Sequence, residues 1–173
     1  MALGLVLAAG LPTGNGARAG NLASDRGGAQ APARAGAVCP VPADAAAMKA
    51  GMLNAVNARR RAAGLAPLRP SSALERAAAV IACDNARRGR MDHIAVREGD
   101  LRSRVRAQGY RFRSAAEALA HGYRAPDRLA AVWHDSAHHY PTLMTPNARE
   151  AGISVVLAAN GAPWWAMISA QPR

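Results

Sequence analysis

The chain has 173 residues, a mass of 17.9 kDa and 50% hydrophobic residues, which predicts one folded domain and excludes a chain disordered throughout. Its 22 Lys and Arg residues exceed its 11 Asp and Glu residues, so the formal net charge is +11. The longest apolar run, residues 2–11, is shorter than the ~18–20 residues of a membrane span, and two cysteines exclude a four-thiolate zinc site.

Arginine supplies the positive charge, since Lys49 is the single lysine. One interpretation is a surface that binds polyanions through their phosphate or acid groups. The other, which we favour, is a solvated surface, because no aromatic residue alternates with the first two clusters and no nucleic-acid-binding motif is present. The arginines are predicted at helix ends and on polar faces, at 59–61, 87–90, Arg102, Arg104 and Arg106.

The first 38 residues predict export followed by a linker. Residues 1–19 contain an apolar stretch with the length of a signal-peptide core and a small-x-small site at Ala17-Arg18-Ala19. The positive charge expected before that stretch is missing, so a segment that is not a signal is the alternative. Residues 20–38 are rich in Gly, Ala and Arg without periodicity, which predicts a flexible linker before a single domain at 39–173.

Two cysteines, Cys39 and Cys83, are expected to form a disulfide if the protein is secreted or periplasmic. The alternative is two free buried thiols. Neither cysteine is predicted to be a nucleophile, because Cys83 lies within an apolar helical segment.

Two long helices are predicted first. Pro42 and Asp44 open a helix that runs to about residue 60, with an apolar stripe of methionines and Val56. Residues 65–70 contain two prolines and predict an extended connector. Ser72 and Glu75 fit a capping box for a second helix that ends near Gly89.

The central segment is predicted to be mixed. Residues 90–99 are polar and irregular, and Asp100 can cap a short helix that ends at Gly109. Residues 110–113 alternate as an edge strand does, whereas residues 114–122 are ambiguous between strand and helix.

The last third changes from helix to hairpin. Pro126 begins a helix predicted to turn Leu129, Val132, Trp133 and Ser136 to one face. Two apolar runs, 153–157 and 164–168, flank Asn160-Gly161, which predicts a hairpin with a type I′ turn. The order of elements predicts an α+β fold with helices packed on a sheet.

Histidines are the first candidates for chemistry. His134 and His138 are four residues apart, so a continuing helix would put both on one face where they could bind a metal. The alternative is a polar helix end with exposed histidines, since the metalloprotease pattern H-E-x-x-H is absent. Neither a G-x-S-x-G elbow nor a nucleotide-binding glycine motif is present.

The second half carries a W-x-x-S-x-x-H motif from Trp133 to His139, followed by Pro146 and a Glu150-Ala151-Gly152 stretch. With the segments around it, this pattern resembles the CAP (SCP) superfamily of cysteine-rich secretory, antigen 5 and pathogenesis-related 1 proteins, in its bacterial form. The resemblance covers about residues 48–170. The other matching segments are Leu53 to Leu68, Leu74 to Ala86, Met91-Asp92-His93, Leu101 to Tyr110, and Ala116 to Ala120.

The resemblance implies a three-layer α-β-α sandwich with a small, mostly antiparallel sheet between helices. It also implies a cavity lined by His93, Glu117, His139 and Glu150. Nitrogen and oxygen ligands of this kind suit a divalent cation, zinc above all. A hydrogen-bonded polar cluster without metal is the alternative. The chain departs from the family's pattern at Ala118, His138, Tyr140 and Ala148.

The leading hypothesis is a secreted, non-catalytic CAP-domain protein that binds a divalent ion or a small ligand in this cleft. One alternative is a hydrolase that uses the same His and Glu residues on extracellular peptide or glycan. Another is an arginine-rich module that binds polyanions or lipid. The expected partners are a small molecule, a lipid or a metal ion, with no specific nucleic acid, and the expected state is a monomer.

Overall fold

A computed structural model describes residues 39–173, so the predicted signal and linker at 1–19 and 20–38 lie outside the described residues. The described part contains five helices and four strands. In chain order they are α1 (Ala45–Ala62), β1 (Arg69–Pro70), α2 (Ser72–Arg88), α3 (Leu101–Ala107), β2 (Phe112–His121), α4 (Pro126–Asp135), α5 (Tyr140–Met144), β3 (Glu150–Leu157) and β4 (Pro163–Pro172). None of these helices is long and apolar enough to cross a membrane.

The four strands form one sheet in the order β1-β3-β4-β2. The strands β3 and β4 are an antiparallel hairpin, β2 pairs with β4 antiparallel, and only the two-residue β1 pairs parallel, with β3. The inner strand β4 is buried along its first eight residues. A strand buried on both faces reads as a nearly continuous apolar run. The mostly antiparallel sheet is confirmed.

Helices cover both faces of the sheet. On one face, α1, α4 and α5 pack around Met52, Leu129 and Trp133. On the other face, α2 and α3 pack around Ile81 and Val105. The three-layer α-β-α sandwich is therefore confirmed, with one apolar core on each side of the sheet.

Close packing of α2 on the sheet depends on Gly152 in β3. A Cβ atom at this position would lie 2.0 Å from the carbonyl carbon of Leu74 and 2.1 Å from the nitrogen of Glu75. Backbone atoms cannot move aside as a flexible side chain can. Only glycine therefore allows this helix to lie so close to the sheet.

Two of the predicted helix-end signals are present in the structure and a third is not. Gly89 ends α2 in the left-handed conformation, with φ of 59°, and the Asp100 carboxylate accepts a hydrogen bond of 2.8 Å from the Ser103 N–H at the start of α3. The predicted capping box is wrong. The N-cap of α2 is Ser71, without a side-chain cap, and Glu75 instead pairs with Lys49 of α1.

The ambiguous segment 114–122 is strand up to His121, as part of β2. The predicted inward position of Val132 is wrong, since this side chain is 40% exposed and the buried stripe of α4 runs through Leu129, Ala130 and Trp133. The hairpin is confirmed. Its connection spans residues 158–162, with Gly161 at φ of 75° donating to the carbonyl of Ala158, so it is longer than a two-residue type I′ turn.

The disulfide between Cys39 and Cys83 is present, with 5.6 Å between the two Cα atoms. It joins the segment before α1 to the middle of α2. The expected pairing is therefore confirmed.

Candidate functional site

The centre of the site is a buried carboxylate, Glu117 on β2, whose side chain is 2% exposed. One oxygen, Oε1, lies 2.8 Å from Nδ1 of His93. The other, Oε2, pairs with the guanidinium of Arg104, whose side chain is fully buried. A carboxylate paired with arginine accepts hydrogen bonds only, so Nδ1 of His93 is the donor.

Two neighbouring elements fix the backbone that carries His93. From α3, one nitrogen of Arg104 donates to the carbonyls of His93 and Gly99, at 2.9 and 2.8 Å. From α2, the Asn85 amide donates to the carbonyl of Asp92 and accepts from its N–H, at 2.8 and 3.2 Å. The irregular loop is thus held on both sides of the histidine.

The hydrogen bond to Glu117 raises the pKa of His93, and the charge of that carboxylate adds to the rise. Partial burial and the positive charge of Arg104 act in the opposite direction. The ring itself is largely open, since 62% of the His93 side chain is exposed. A buried carboxylate therefore orients an imidazole ring that is itself open to solvent.

His139 lies in the turn between α4 and α5. Its Nδ1 is 2.9 Å from Oγ of Ser136, and its ring lies 6.2 Å from the ring of Trp133. Burial lowers the pKa of His139, and the charges of His93 and His138 lower it further. Both neighbouring histidines thus disfavour protonation of His139.

Glu150 begins β3 and accepts a hydrogen bond of 2.8 Å from the Tyr110 hydroxyl. Burial and this contact raise the pKa of Tyr110. Glu117 pairs in register with Ile168 of β4 and Glu150 with Ala170, on the opposite side of that strand. Two strand spacings and two residues separate the glutamates, or about 12 Å between Cα atoms.

The two additional candidates, His134 and His138, do not share a helical face, because α4 ends at Asp135. His134 contacts the Asp135 carboxylate, with 3.1 Å between Nδ1 and Oδ1. The side chain of His138 is exposed.

Within residues 39–173, no group of three or more His, Cys, Asp or Glu side chains is arranged to hold a metal ion. Two histidine nitrogens remain as possible metal ligands. With Nδ1 of His93 bonded to Glu117 and Nδ1 of His139 bonded to Ser136, each ring keeps its Nε2 for another ligand.

A groove of about 560 Å³ opens beside this site, between α3, β2 and the loop that carries His93. Its walls are partly apolar and its rim carries arginine. The residues that line it include His93, Ile94, Asp100, Leu101, Arg102, Phe112, Arg113 and Glu117.

Sequence reasoning missed the buried arginine of the site. Arg60 and Arg104 are predicted at helix ends and on polar, solvated faces. Both do lie in the last turn of a helix, but the predicted solvated position is wrong because both side chains are fully buried. A signal was available for Arg104, since it precedes Val105 and follows Leu101 by three residues, on the inward stripe of α3. Ser136 carried a weaker signal, the serine of the W-x-x-S-x-x-H pattern.

Comparison with known proteins gives a consistent result. The family described as "CAP: Cysteine-rich secretory protein family" matches residues 53–168. The uncharacterized protein YkwD of Bacillus subtilis is 24% identical over 123 residues, which are 71% of this chain and 47% of YkwD. The chain thus spans about half the length of that relative.

Solved structures share the fold. An outer surface protein from Borrelia burgdorferi has a TM-score of 0.69 and 16% identity over 78% of this chain and 99% of that chain. An extracellular SCP-domain protein from Bacillus anthracis has a TM-score of 0.63 and 17% identity over 76% and 44%. A cysteine-rich secretory protein from Staphylococcus aureus has a TM-score of 0.63 and 18% identity over 75% and 41%.

Proposed function

Since the chain belongs to the CAP family of cysteine-rich secretory proteins, we propose that it is a binding protein of the extracytoplasmic space that holds a divalent ion, zinc, between His93 and His139. The observation that supports this proposal is the orientation of the two rings. Each Nδ1 has a hydrogen-bond partner, which leaves Nε2 of both imidazoles as the ligand atoms.

In this proposal Glu117 does not bind the ion but holds a histidine that does. Both of its oxygens are engaged, one by His93 and one by Arg104, so the carboxylate orients a ligating imidazole and makes it more basic. In place of the two glutamate ligands expected from the sequence, we propose one glutamate, Glu117, that positions a histidine ligand. Ser136 holds the ring of His139 in the same way.

Two imidazoles satisfy half of a tetrahedral zinc ion. A bound ion would therefore offer its remaining positions to water or to an anionic group of a small ligand. A site of this kind binds more weakly than a closed structural site with four protein ligands. Its contribution to the fold is correspondingly small, because the disulfide and two apolar cores already hold the domain together.

Two observations support a location outside the cytoplasm. Structural disulfides persist in oxidising compartments, and Cys39 and Cys83 are paired. The structural neighbours are described as an outer surface protein, an extracellular protein and a cysteine-rich secretory protein. Secretion and a periplasmic location both satisfy these observations.

The test is calorimetric titration of the full, metal-free chain with zinc. The wild type should bind about one ion, and His93→Ala and His139→Ala should each remove the binding. His121→Ala is a matched control, because His121 at the end of β2 stacks on Trp164, away from the proposed ligands. Glu150→Gln decides whether the fourth predicted residue takes part.

Zinc binding that survives both ligand substitutions, or that His121→Ala also removes, would contradict the proposed site. Loss of binding in His138→Ala with retention in His139→Ala would move the second ligand to the exposed neighbour. No binding by the wild type would leave the four residues as a structural polar cluster.

A further inference from the structure

The loop that carries His93, residues 90–99, exposes three large apolar side chains. Met91 is 44% exposed, Ile94 59% and Val96 71%. Only six large apolar side chains are exposed within residues 39–173, and half of them lie on this loop. Clustered apolar side chains at a surface mark a place where another molecule binds.

The backbone beneath these side chains is fixed. Ala95 is buried, and its N–H and carbonyl both bond with Gly99, at 2.9 and 3.0 Å. The residues on either side of Ala95, Ile94 and Val96, are both exposed, and Val96 begins the turn 96–98 that leads to Gly99.

Arginines outnumber acidic residues around these apolar side chains. Residues 84–104 contain six arginines and four acidic residues. Arg104 is buried against Glu117, Arg88 pairs with Asp84 and Asp92, and Arg90 also pairs with Asp92, whereas Glu98 and Asp100 are exposed. The exposed arginines of this segment are Arg87, Arg90, Arg97 and Arg102.

The apolar surface continues from the loop into the groove. Ile94 lines that groove together with Leu101 and Phe112, and Arg102 and Arg113 lie along it. Apolar walls and arginines thus meet at one edge of the molecule. The volume of about 560 Å³ is large enough for part of an acyl chain.

We propose that the loop 90–99 docks the protein on an anionic lipid bilayer. Ile94 and Val96 enter the boundary between headgroups and acyl chains, and Arg97 and Arg102 bind lipid phosphates. A soluble polyanion would satisfy the arginines and leave the apolar side chains in water. A second copy of the chain would bring two arginine-rich loops together. This docking does not depend on the ion site.

The first experiment is co-sedimentation of the full chain with vesicles of phosphatidylcholine, with and without phosphatidylglycerol. Binding should require the anionic lipid. The variant R97Q/R102Q should bind about fivefold more weakly for each arginine removed, and I94S/V96S should lose most of the binding. Matched controls on the opposite helical layer are R61Q/R128Q and V132S, whose side chains are exposed, and both should bind as the wild type does.

The second experiment measures insertion directly. The three native tryptophans are buried, at most 7% exposed, so they respond little to lipid. In I94W the new indole should be quenched by brominated acyl chains in anionic vesicles. In V132W it should not be quenched.

Several results would overturn the proposal. These are equal binding to neutral vesicles, an equal loss in R61Q/R128Q, or no quenching of I94W in sedimented protein. Self-association that disappears in I94S/V96S, without vesicle binding by the wild type, would assign the loop to a second copy. Retention on heparin that depends on Arg97, again without vesicle binding, would assign it to an acidic polysaccharide.

Discussion

Arg60 and Arg104 are both fully buried, one on each side of the sheet, and their guanidinium groups are satisfied in different ways. Arg60 of α1 donates to four backbone carbonyls and to no carboxylate within residues 39–173. Its acceptors are Ala66, Leu143, Thr145 and Ala148. Arg104 of α3 donates to two carbonyls and pairs with Glu117, which holds His93.

The difference separates a structural arginine from an arginine that serves a site. The acceptors of Arg60 are main-chain atoms, so its effect is limited to the shape of the connector after α1 and of the end of α5 with the loop that follows it. Burial, together with the charge of Arg149, lowers its pKa. The partner of Arg104 is a side chain, and that side chain orients an imidazole at the surface. Arg104 therefore helps to position His93 beside the groove.

The largest expected effect is that of Arg104→Met on stability. The substitution leaves the buried Glu117 carboxylate with only its hydrogen bond from His93, and loss of a buried ion-pair partner costs about 3–5 kcal/mol of unfolding free energy. Urea denaturation of the full chain measures this loss. The double variant R104M/E117M should recover part of the loss, because it removes the orphaned charge as well. Equal stability of the single and double variants would contradict the pairing.

The next effect is that of Arg60→Met, which we expect to cost about 2–4 kcal/mol, because several buried carbonyls lose their donor. Zinc affinity of the remaining folded protein should stay at the wild-type value. A change in zinc affinity, measured by calorimetric titration, would contradict the distinction between the two arginines.

The fold was predictable because its signals are local. Gly89 and Asp100 mark helix ends by their own conformational preferences, and the apolar runs of the last third mark the hairpin. The β2 strand was ambiguous, because Ala-rich sequence fits helix and strand alike, and only pairing with β4 decides. The capping-box prediction is wrong because Glu75 pairs with Lys49, which is distant in sequence.

The site was predictable in part. The family resemblance identified His93 and Glu117, which the structure brings within hydrogen-bond distance. It did not reveal Arg104, whose burial is indicated in the sequence only by its position on the inward stripe of α3 with Leu101 and Val105. The link between Glu150 and Tyr110 likewise depends on strand register, which the sequence alone does not specify.

A smaller effect is expected for Glu117→Gln on zinc binding. The amide keeps the volume of the side chain but loses the charge that makes His93 basic, so affinity should fall about 10–100-fold. Titration calorimetry measures the change, with Glu75→Gln as the matched loss of a carboxylate elsewhere, since Glu75 pairs with Lys49. Unchanged affinity in Glu117→Gln would show that the buried pair is structural only, as Arg60 is.

The smallest effect is a difference in titration between the two histidines of the metal-free protein. The pKa of His93 should lie above the ordinary value of about 6.5 and that of His139 below it. The His93 contribution to stability is present below that ordinary value and is lost as the pH rises through the raised pKa. For His139, stability falls as the pH falls from about 6.5 through its lowered pKa.

Nuclear magnetic resonance of the imidazole protons gives both pKa values. Glu117→Gln should lower the pKa of His93 and leave that of His139 nearly unchanged. A His93 pKa below that of His139 in the wild type would contradict the hydrogen-bond arrangement described for the site.

The most direct test of the ion site is to identify which ring nitrogen binds the metal. Long-range proton–nitrogen spectra of the full chain, labelled with ¹⁵N, distinguish Nδ1 from Nε2 in each histidine before and after zinc is added. We expect zinc to shift Nε2 of His93 and of His139, while Nδ1 of His93 keeps the proton that it donates to Glu117. Coordination through Nδ1, or spectra that zinc leaves unchanged, would contradict it.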